Sequence, residues 1–146
     1  SGEEIGELVG IVPVLRAGLA LVDPFLKLLP AASVLHLGMY RDEETAKPVA
    51  YYNKLGSAPT VDSAIIVDPM LATGGSAIAA VAALKAVGIT KISLGCVIAA
   101  PEGIKNLHQE YSDVTVTACS IDDGLNDINY IVPGLGDAGD RYFGTL

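Results

Sequence analysis

Short apolar segments recur along the chain, and most of them are separated by longer segments with helical periodicity. Four of them have the length of a strand, and their nearly continuous aliphatic runs are typical of buried strands. They cover residues 7–15, 33–39, 62–67 and 91–99. In a fifth segment, residues 114–119, apolar and polar side chains alternate, which predicts a last strand.

Three segments between these strands predict helices. After Arg16 an apolar stripe continues to Leu29, and Pro24 marks either a kink in it or the start of its regular part. Residues 76–87 form an alanine-rich helical pattern stopped by a glycine, and residues 101–111 form another that begins with proline. Strands that alternate with helices predict right-handed crossovers, and therefore an α/β fold with a parallel β-sheet flanked by helices.

Two segments fit this alternation less well. Residues 46–54 contain proline and tyrosines and predict a short excursion with β character, followed by a turn over 56–60. Residues 122–146 are rich in acids and glycines and predict a loop. The length of 146 residues is typical of one domain, residues 1–146, with a sizeable core.

The composition restricts the classes of partner. Hydrophobic residues make up 51% of the chain, tryptophan is absent, and the formal net charge is −8 with Lys and Arg scattered. This balance argues against a nucleic acid or a membrane surface as partner. No apolar run approaches the length that spans a membrane and no signal peptide is recognisable, so we expect a soluble, cytoplasmic protein. In that compartment Cys96 and Cys119 would be buried free thiols.

Residues 63–77 combine a strand, an acid, a glycine-rich turn and the start of a helix. The apolar run ends at Asp68, and the turn ends in Thr73-Gly74-Gly75-Ser76. Glycines let several backbone N–H groups approach one phosphate, and a helix N-terminus adds a favourable dipole. An acid before such a cradle suits a ligand with hydroxyls beside its phosphate, such as ribose 5-phosphate. An ordinary glycine-rich turn is the alternative, whereas a Walker A loop is excluded because the segment has no lysine.

Other polar residues also follow predicted strands. Arg16, Arg41, the 68–76 turn and the residues after Cys119 all fall at carboxyl ends of strands, where open α/β sheets bind their ligands. A guanidinium at Arg16 or Arg41 could fork onto a diphosphate, and each could equally be a surface arginine. The shared position predicts a single site at one edge of the sheet.

Three further patterns do not support the site that each could indicate, although the glycine-rich backbone of residues 134–139 could instead present N–H and C=O groups to a small planar ligand. Residues 134–139 match G-x-G-x-x-G, but no convincing strand precedes them and too little chain follows for the helix of a dinucleotide site. The acids within 122–127 fit no standard calcium loop and are favoured as a polar turn. His36 and His108 have no partner at metal-ligand spacing, so we expect no structural metal.

Six segments together carry a specific likeness to a known family. They read VPVLRAGLALVD, GMYRDEET, IIVDPMLATGGSA, AAPEGI, SIDDGLND and YIVPGLGDAGDRYFGT. In these segments the chain resembles the uracil phosphoribosyltransferases, which implies a type I phosphoribosyltransferase-like fold with a C-terminal hood-like loop region. The resemblance further implies transfer of a 5-phosphoribosyl group from the diphosphate donor PRPP to N1 of uracil. The products would be UMP and pyrophosphate, and the reaction would belong to pyrimidine salvage. The cofactor would be Mg²⁺, bound together with PRPP.

The resemblance also implies roles for individual residues. Arg16 and Arg41 would bind the diphosphate, and Asp137 would lie near PRPP or its metal. The PRPP loop would comprise Asp68, Pro69, Met70, Leu71, Ala72, Thr73, Gly74, Gly75 and Ser76. Uracil would contact Ile131, Gly136, Asp137 and Ala138, mostly through their backbone. The catalytic residues would be Asp137, Arg41 and Asp68, with Asp137 as the best candidate for a general base.

Two departures from the family pattern bear on function. Val67-Asp68 carries one acid where phosphoribosyltransferases for other bases often carry two, which favours uracil. About ten residues precede the VPVLRAG strand, whereas the family normally has a segment of several dozen residues there. The alternative is therefore a weakly active or inactive core, or a regulatory module, that binds UMP or PRPP without turnover. A homodimer or higher homo-oligomer and a GTP effector are further expectations from the family.

Overall fold

The computed structural model describes residues 6–42, 48–56 and 60–145, and for Arg41 it describes the backbone alone. Parts of two predicted segments, the excursion at 46–54 and the turn at 56–60, therefore lie outside the described residues. Within the described ranges no helix is long and apolar enough to cross a membrane.

A mostly parallel sheet forms the centre of the fold. Its strands are β1 (Val9–Leu15), β2 (Ser33–Val34), β3 (Leu37–Arg41), β4 (Pro48–Asn53), β5 (Ser63–Val67), β6 (Met70–Leu71), β7 (Lys91–Ala99) and β8 (Thr115–Ile121). The order across the sheet is β4-β3-β1-β5-β7, and β8 pairs with β7 on the side away from β5. The short strands β2 and β6 pair with the first part of β1 and the last part of β7.

Helices cover the two faces of this sheet unequally. The helical elements are a 3₁₀ turn (Ala17–Leu21), α1 (Val22–Leu28), α2 (Gly75–Ala86), α3 (Pro101–Glu110) and α4 (Ala138–Phe143). Leu84 of α2 and Leu107 of α3 are fully buried in one apolar cluster with Ile66 of β5. On the other face, a methyl group built on Gly95 of β7 would lie 3.4 Å from Phe25 Cζ of α1. Burial of these aliphatic and aromatic side chains is the main driving force that fixes the layers.

The predicted strands and helices are largely confirmed, with two corrections in the sheet. Strand β7 coincides with the predicted 91–99 segment, but residues 33–39 form two short strands that pair with separate parts of β1. The sheet is mixed rather than purely parallel, because β4 turns back and pairs antiparallel with β3. Pro24 lies in the first turn of α1, so it marks the start of the regular helix after a 3₁₀ turn.

The prediction of a loop over residues 122–146 holds for most of the described part of that range, but it missed three short elements. Two further strands, β9 (Gly124–Leu125) and β10 (Ile131–Val132), pair as an antiparallel hairpin, and α4 follows them. A strand and a helix therefore do flank the G-x-G-x-x-G segment, although they have only two and six residues. Elements this short are below the length at which apolar periodicity can be recognised.

Candidate active site

Three neighbouring strands end at the same edge of the sheet. Strand β1 pairs in parallel with both β3 and β5. Arg16 directly follows β1, Arg41 is the last residue of β3, and Asp68 directly follows β5. The approach is close at Gly18, where a built methyl group would lie 2.5 Å from the carbonyl oxygen of Val67. The structure thus brings these three positions to one edge, as the sequence predicts.

The loop over residues 68–76 folds around a small cavity. Asp68 Oδ1 accepts a hydrogen bond from the backbone N–H of Met70 at 3.2 Å, and Thr73 Oγ1 accepts one from Gly75 at 3.4 Å. Gly74 has a φ of 86°, in the left-handed region that favours glycine, and α2 begins directly after it. The cavity has a volume of about 160 Å³ and is lined by residues 70–77 with Val14, Asp68, Leu94 and Asn129. Its position at the N-terminus of α2 suits an anion.

Helix α3 supports this loop from outside. A methyl group built on Gly103 would lie 2.3 Å from the carbonyl oxygen of Ala72, and one on Gly74 would lie 2.8 Å from the carbonyl oxygen of Gly103. The Nδ2 of Asn106, one turn further along α3, donates to the carbonyl oxygen of Thr73 at 3.0 Å. The loop is therefore positioned by backbone contacts that leave no room for a side chain at either glycine.

The carboxyl group of Asp68 has an unusual environment. The residue as a whole is only partly buried, yet its carboxyl group is enclosed closely enough that loss of hydration raises the pKa to about 7. The hydrogen bond from Met70 opposes this rise. A carboxyl group with a raised pKa in a cavity is a candidate for contact with substrate.

Strand β4 connects the position of Arg41 with the 68–76 loop. Arg41 is paired with Pro48 across the antiparallel ladder of β3 and β4. A methyl group built on Gly75 would lie 3.5 Å from Pro48 Cδ, which is ordinary van der Waals contact. The end of β3 is therefore next to the first residue of α2.

Arg16 joins the edge of the sheet to the C-terminal region, residues 122–145. The peptide bond between Leu15 and Arg16 is cis. The Nη2 of Arg16 donates to Asp140 Oδ1 at 2.7 Å, and its Nη1 donates to Thr145 Oγ1 at 3.3 Å. The guanidinium also lies over the ring of Phe143, 5.9 Å from the ring centre. Together with Thr145, Arg16 lowers the pKa of Asp140.

Polar side chains determine the shape of the C-terminal region. Asp122 Oδ2 accepts the N–H of Gly134 at 2.8 Å, and Glu102 Oε1 accepts the N–H of Leu125 at 3.3 Å. Asp137 is the N-cap of α4, where its Oδ1 accepts the N–H of Asp140 at 2.8 Å. Each of these bonds satisfies a backbone group that the short hairpin and short helix leave without a ladder partner.

The residues predicted to contact uracil occupy different environments within this region. Ile131 is 4% exposed and lies in β10, so any contact with a ligand falls to its backbone. Gly136 has a φ of 80° and is exposed, while Ala138 is the first residue of α4 and is partly buried. The first turn of α4, which Ala138 begins, lies against Arg16, since a methyl group built on Gly139 would lie 3.7 Å from Arg16 Nη2.

The sequence did not point to four residues that the structure places at this edge. Asn129 has a φ of 62° and lines the same cavity as the 68–76 loop. Glu102 and Asn106 hold the two loops through α3, and Asp140 holds Arg16. Glu102 lies in the AAPEGI segment, but nothing in that spacing indicates which loop it contacts.

No preformed metal site is recognisable in residues 6–42, 48–56 and 60–145. In that part of the chain, no group of three or more His, Cys, Asp or Glu side chains could hold a metal ion. Mg²⁺ bound with a diphosphate needs only one or two protein carboxylates, because phosphates and water supply its other ligands.

Solved structures define the class of the fold. The adenine phosphoribosyltransferase from Rhodothermus marinus superposes with a TM-score of 0.63 at 17% identity, over 80% of this chain and 70% of that one. At this identity the likeness concerns the fold alone. The fold is that of the type I phosphoribosyltransferases.

Sequence relatives define the family more narrowly. The family model described as uracil phosphoribosyltransferase matches residues 1–145. The uracil phosphoribosyltransferase of Roseiflexus sp. strain RS-1 is 60% identical over 99% of this chain and 69% of its own length. A solved structure of the AQ2163 protein from Aquifex aeolicus is 40% identical with a TM-score of 0.84, over 92% of this chain and 64% of that one. The chain belongs to the uracil phosphoribosyltransferase family, and it spans about two thirds of the length of these relatives.

Proposed function

We propose that this chain transfers a 5-phosphoribosyl group from PRPP to N1 of uracil. One structural observation carries the proposal: the 68–76 loop and the C-terminal region line the same cavity, through Asn129. The predicted uracil contacts, Ile131 and residues 136–138, are outside this lining and follow Asn129 in the chain. A phosphate cradle that adjoins the start of a base-binding segment suits transfer between a sugar phosphate and a base. Membership of the family supports the identity of both substrates.

The phosphate end of PRPP would bind at the start of α2. Backbone N–H groups there, with the hydroxyls of Thr73 and Ser76, offer donors to the 5-phosphate, and the helix dipole favours its charge. Residues 69–72 would complete the loop around it. Asp68, the first residue of the same loop, would accept hydrogen bonds from the ribose hydroxyls.

Charge on the leaving pyrophosphate would be stabilised by arginines. In the reaction the bond from the anomeric carbon to the diphosphate oxygen breaks with its electron pair, and a bond from N1 of uracil forms. Arg16 follows β1 and Arg41 is the last residue of the neighbouring β3, and guanidinium groups bind phosphate oxygens bidentately. Mg²⁺ bound with PRPP would offset part of the same charge.

Uracil would be recognised mainly by backbone groups of the C-terminal region. Its edge presents N–H donors and carbonyl acceptors, which the backbone of Ile131 and of residues 136–138 can match. Cytosine would be rejected, because its exocyclic amine would place a donor where the site expects an acceptor. The proton on N1 must leave, and Asp137 is our candidate acceptor; its Oδ1 caps α4, so this role falls to Oδ2.

An assay with radiolabelled uracil, PRPP and Mg²⁺ tests the proposal. We expect labelled UMP from uracil and no product from labelled cytosine. The Roseiflexus relative, assayed in parallel, controls for the conditions. Absence of UMP while the relative is active would contradict the proposal. If calorimetry then detected binding of PRPP or UMP without turnover, the chain would be a binding module, which is the second candidate that the sequence left open.

The family also supplies proposals about assembly, control and location. We propose self-association as a homodimer or higher oligomer, activation by GTP, and a cytoplasmic location in keeping with the two free cysteines. Sedimentation with and without GTP, together with initial rates at rising GTP, tests the first two. A monomeric mass would contradict the first, and unchanged rates would contradict the second.

A further inference from the structure

The guanidinium of Arg16 is held by a closed network of three side chains. Asp140 Oδ1 accepts from Arg16 Nη2 at 2.7 Å and from the hydroxyl of Thr145 at 2.6 Å. The same hydroxyl oxygen accepts from Arg16 Nη1 at 3.3 Å. The backbone of Thr145 is fixed as well, since its N–H donates to the carbonyl oxygen of Asp140 at 3.0 Å. Each partner therefore restrains the other two.

This network does not use up the donors of Arg16. A guanidinium has five N–H donors in a planar fork. Asp140 and Thr145 take one each, which leaves three for oxygen atoms of a diphosphate. The network thus fixes the plane of the Arg16 guanidinium and leaves three of its five N–H donors outside the network.

Stability is a weak explanation for this network. The side chains of Arg16 and Asp140 are 50% and 32% exposed, and ion pairs at such positions contribute little to the free energy of unfolding. Fixing a long, flexible side chain before the substrate arrives has a clearer benefit, because it reduces the entropy lost on binding.

The location of Asp140 adds a second consequence. It lies in the first turn of α4, whose N-cap is Asp137 and whose first residue is Ala138. Both of those residues belong to the segment proposed to contact uracil. Helix α4, which begins within the segment proposed to contact uracil, therefore also holds Arg16, the residue proposed to bind the diphosphate.

We propose that Asp140, assisted by Thr145, is a positioning residue that orients Arg16 for the diphosphate of PRPP. Through α4 it also connects Arg16 with residues 136–138, which are proposed to contact uracil. The inference rests on the proposed function for the identity of the substrate. It adds a role for two residues that do not themselves need to touch PRPP.

A series of variants tests the role through the KM for PRPP. Asp140→Ala should raise this KM about tenfold with a smaller change in kcat, because Arg16 then has to be ordered during binding. Asp140→Asn keeps an oxygen acceptor and should recover most of the loss. Thr145→Val, which removes the hydroxyl but keeps the shape, should raise the KM about threefold. Asp113→Ala is the matched control, because it removes a comparable ion pair, with Lys85 at 2.7 Å, away from the site, and should leave the KM for PRPP unchanged.

A double-mutant cycle separates positioning from a structural role. If Asp140 acts through Arg16, Asp140→Ala should change the KM for PRPP less than twofold in an Arg16→Ala background. The same factor in both backgrounds would overturn the inference. So would a rise in the KM for uracil with that for PRPP unchanged.

Calorimetry of PRPP with Mg²⁺ keeps this test independent of turnover. If the chain binds PRPP but makes no UMP, the proposed activity is wrong, while a tenfold weaker affinity of Asp140→Ala still supports the role of Asp140. Equal affinities of wild type and Asp140→Ala would reject that role even if UMP is formed. If the unmodified chain binds no PRPP, both proposals are wrong.

Discussion

The two halves of the site are built in different ways. The 68–76 loop lies between β5, β7 and α3 and is fixed by backbone contacts so close that Gly74 and Gly103 cannot carry a side chain. The C-terminal region has a two-stranded hairpin and a six-residue helix, and polar side chains such as Asp122 and Asp137 determine its shape. One half is therefore held by packing and the other by side-chain hydrogen bonds.

This difference predicts how each half responds to substitution. A close-packed backbone cannot yield without moving its neighbours, so changes there should affect stability and activity together. A region held by single hydrogen bonds can lose one of them and keep its fold, because each contributes only modestly. Substitutions in the C-terminal region should therefore alter substrate use more than stability.

The largest effect is expected for Gly103→Ala. The new methyl group would lie 2.3 Å from the carbonyl oxygen of Ala72, so either α3 or the loop must move. Displacement of a substrate loop by about 1 Å can lower activity about 100-fold, and overpacking of this kind costs about 1–3 kcal/mol of stability. Thermal unfolding and the rate of UMP formation measure both effects.

A glycine elsewhere in the sheet provides the control for that substitution. Gly95→Ala places its methyl group 3.4 Å from Phe25 Cζ, which is ordinary contact with a side chain. We expect little change in melting temperature. Equal losses at Gly95 and Gly103 would mean that the close contact between α3 and the loop has no special role.

Asp68→Asn is the exception within the 68–76 loop, because it changes the chemistry of a side chain and leaves the close-packed backbone in place, so activity should fall while the fold is kept. The substitution removes the negative charge and the proposed contact with ribose, so we expect the rate of UMP formation to fall about 100-fold. The pKa of Asp68 is about 7 in the folded protein, above its ordinary value of 3.8. The folded state thus favours the protonated form, and the stability linked to that form is lost as the pH rises towards and through 7.

The pH dependence of that variant gives a clear sign. Asparagine does not ionise, so the variant should gain melting temperature relative to wild type between pH 5 and pH 8. Unfolding curves at the two pH values measure this difference. If the difference in melting temperature between wild type and Asp68→Asn is the same at both pH values, the carboxyl group of Asp68 is not desolvated in the folded protein.

Asp122→Ala tests the half that is held by hydrogen bonds. Its loss releases the N–H of Gly134, and we expect the KM for uracil to rise about fivefold, roughly the net contribution of one hydrogen bond. The KM for PRPP should change little. Asp123→Ala is the matched control, because the bond between Asp123 and Val132 uses the backbone N–H of Asp123. Equal effects of the two substitutions would contradict the role given to Asp122.

The smallest effect is expected for Asn129→Ala. Asn129 lines the cavity of the 68–76 loop, and its amide can make one hydrogen bond to a ligand there. We expect about a threefold loss in kcat/KM for PRPP. Asn129→Gly separates the side chain from the backbone, because glycine tolerates the φ of 62° without strain. If Asn129→Gly is fully active, the side-chain amide of Asn129 makes no hydrogen bond that contributes to the use of PRPP.

The sequence predicted the order of strand, acid, turn and helix in the half of the site that depends on packing, but neither strand β6 nor the contacts from α3. A strand, an acid, glycines and a long helix leave a clear local pattern, and the 68–76 loop has the predicted order of elements. The C-terminal region was less predictable, because Arg16 and Asp140 are 124 residues apart and nothing in their spacing indicates a contact. The hairpin at 124–132 was missed for a different reason, since two-residue strands carry no periodicity.

The first turns of α3 have a consequence for redesign of the substrate range. Glu102 contacts the C-terminal hairpin, while Gly103 and Asn106 contact the 68–76 loop, so about one helical turn serves as the common foundation of both loops. A library aimed at accepting another pyrimidine should vary residues 136–138 and leave residues 101–106 untouched. Substitutions in residues 101–106 would change the binding of PRPP and of the base together. Selection for a new base could then not proceed without also weakening the binding of PRPP.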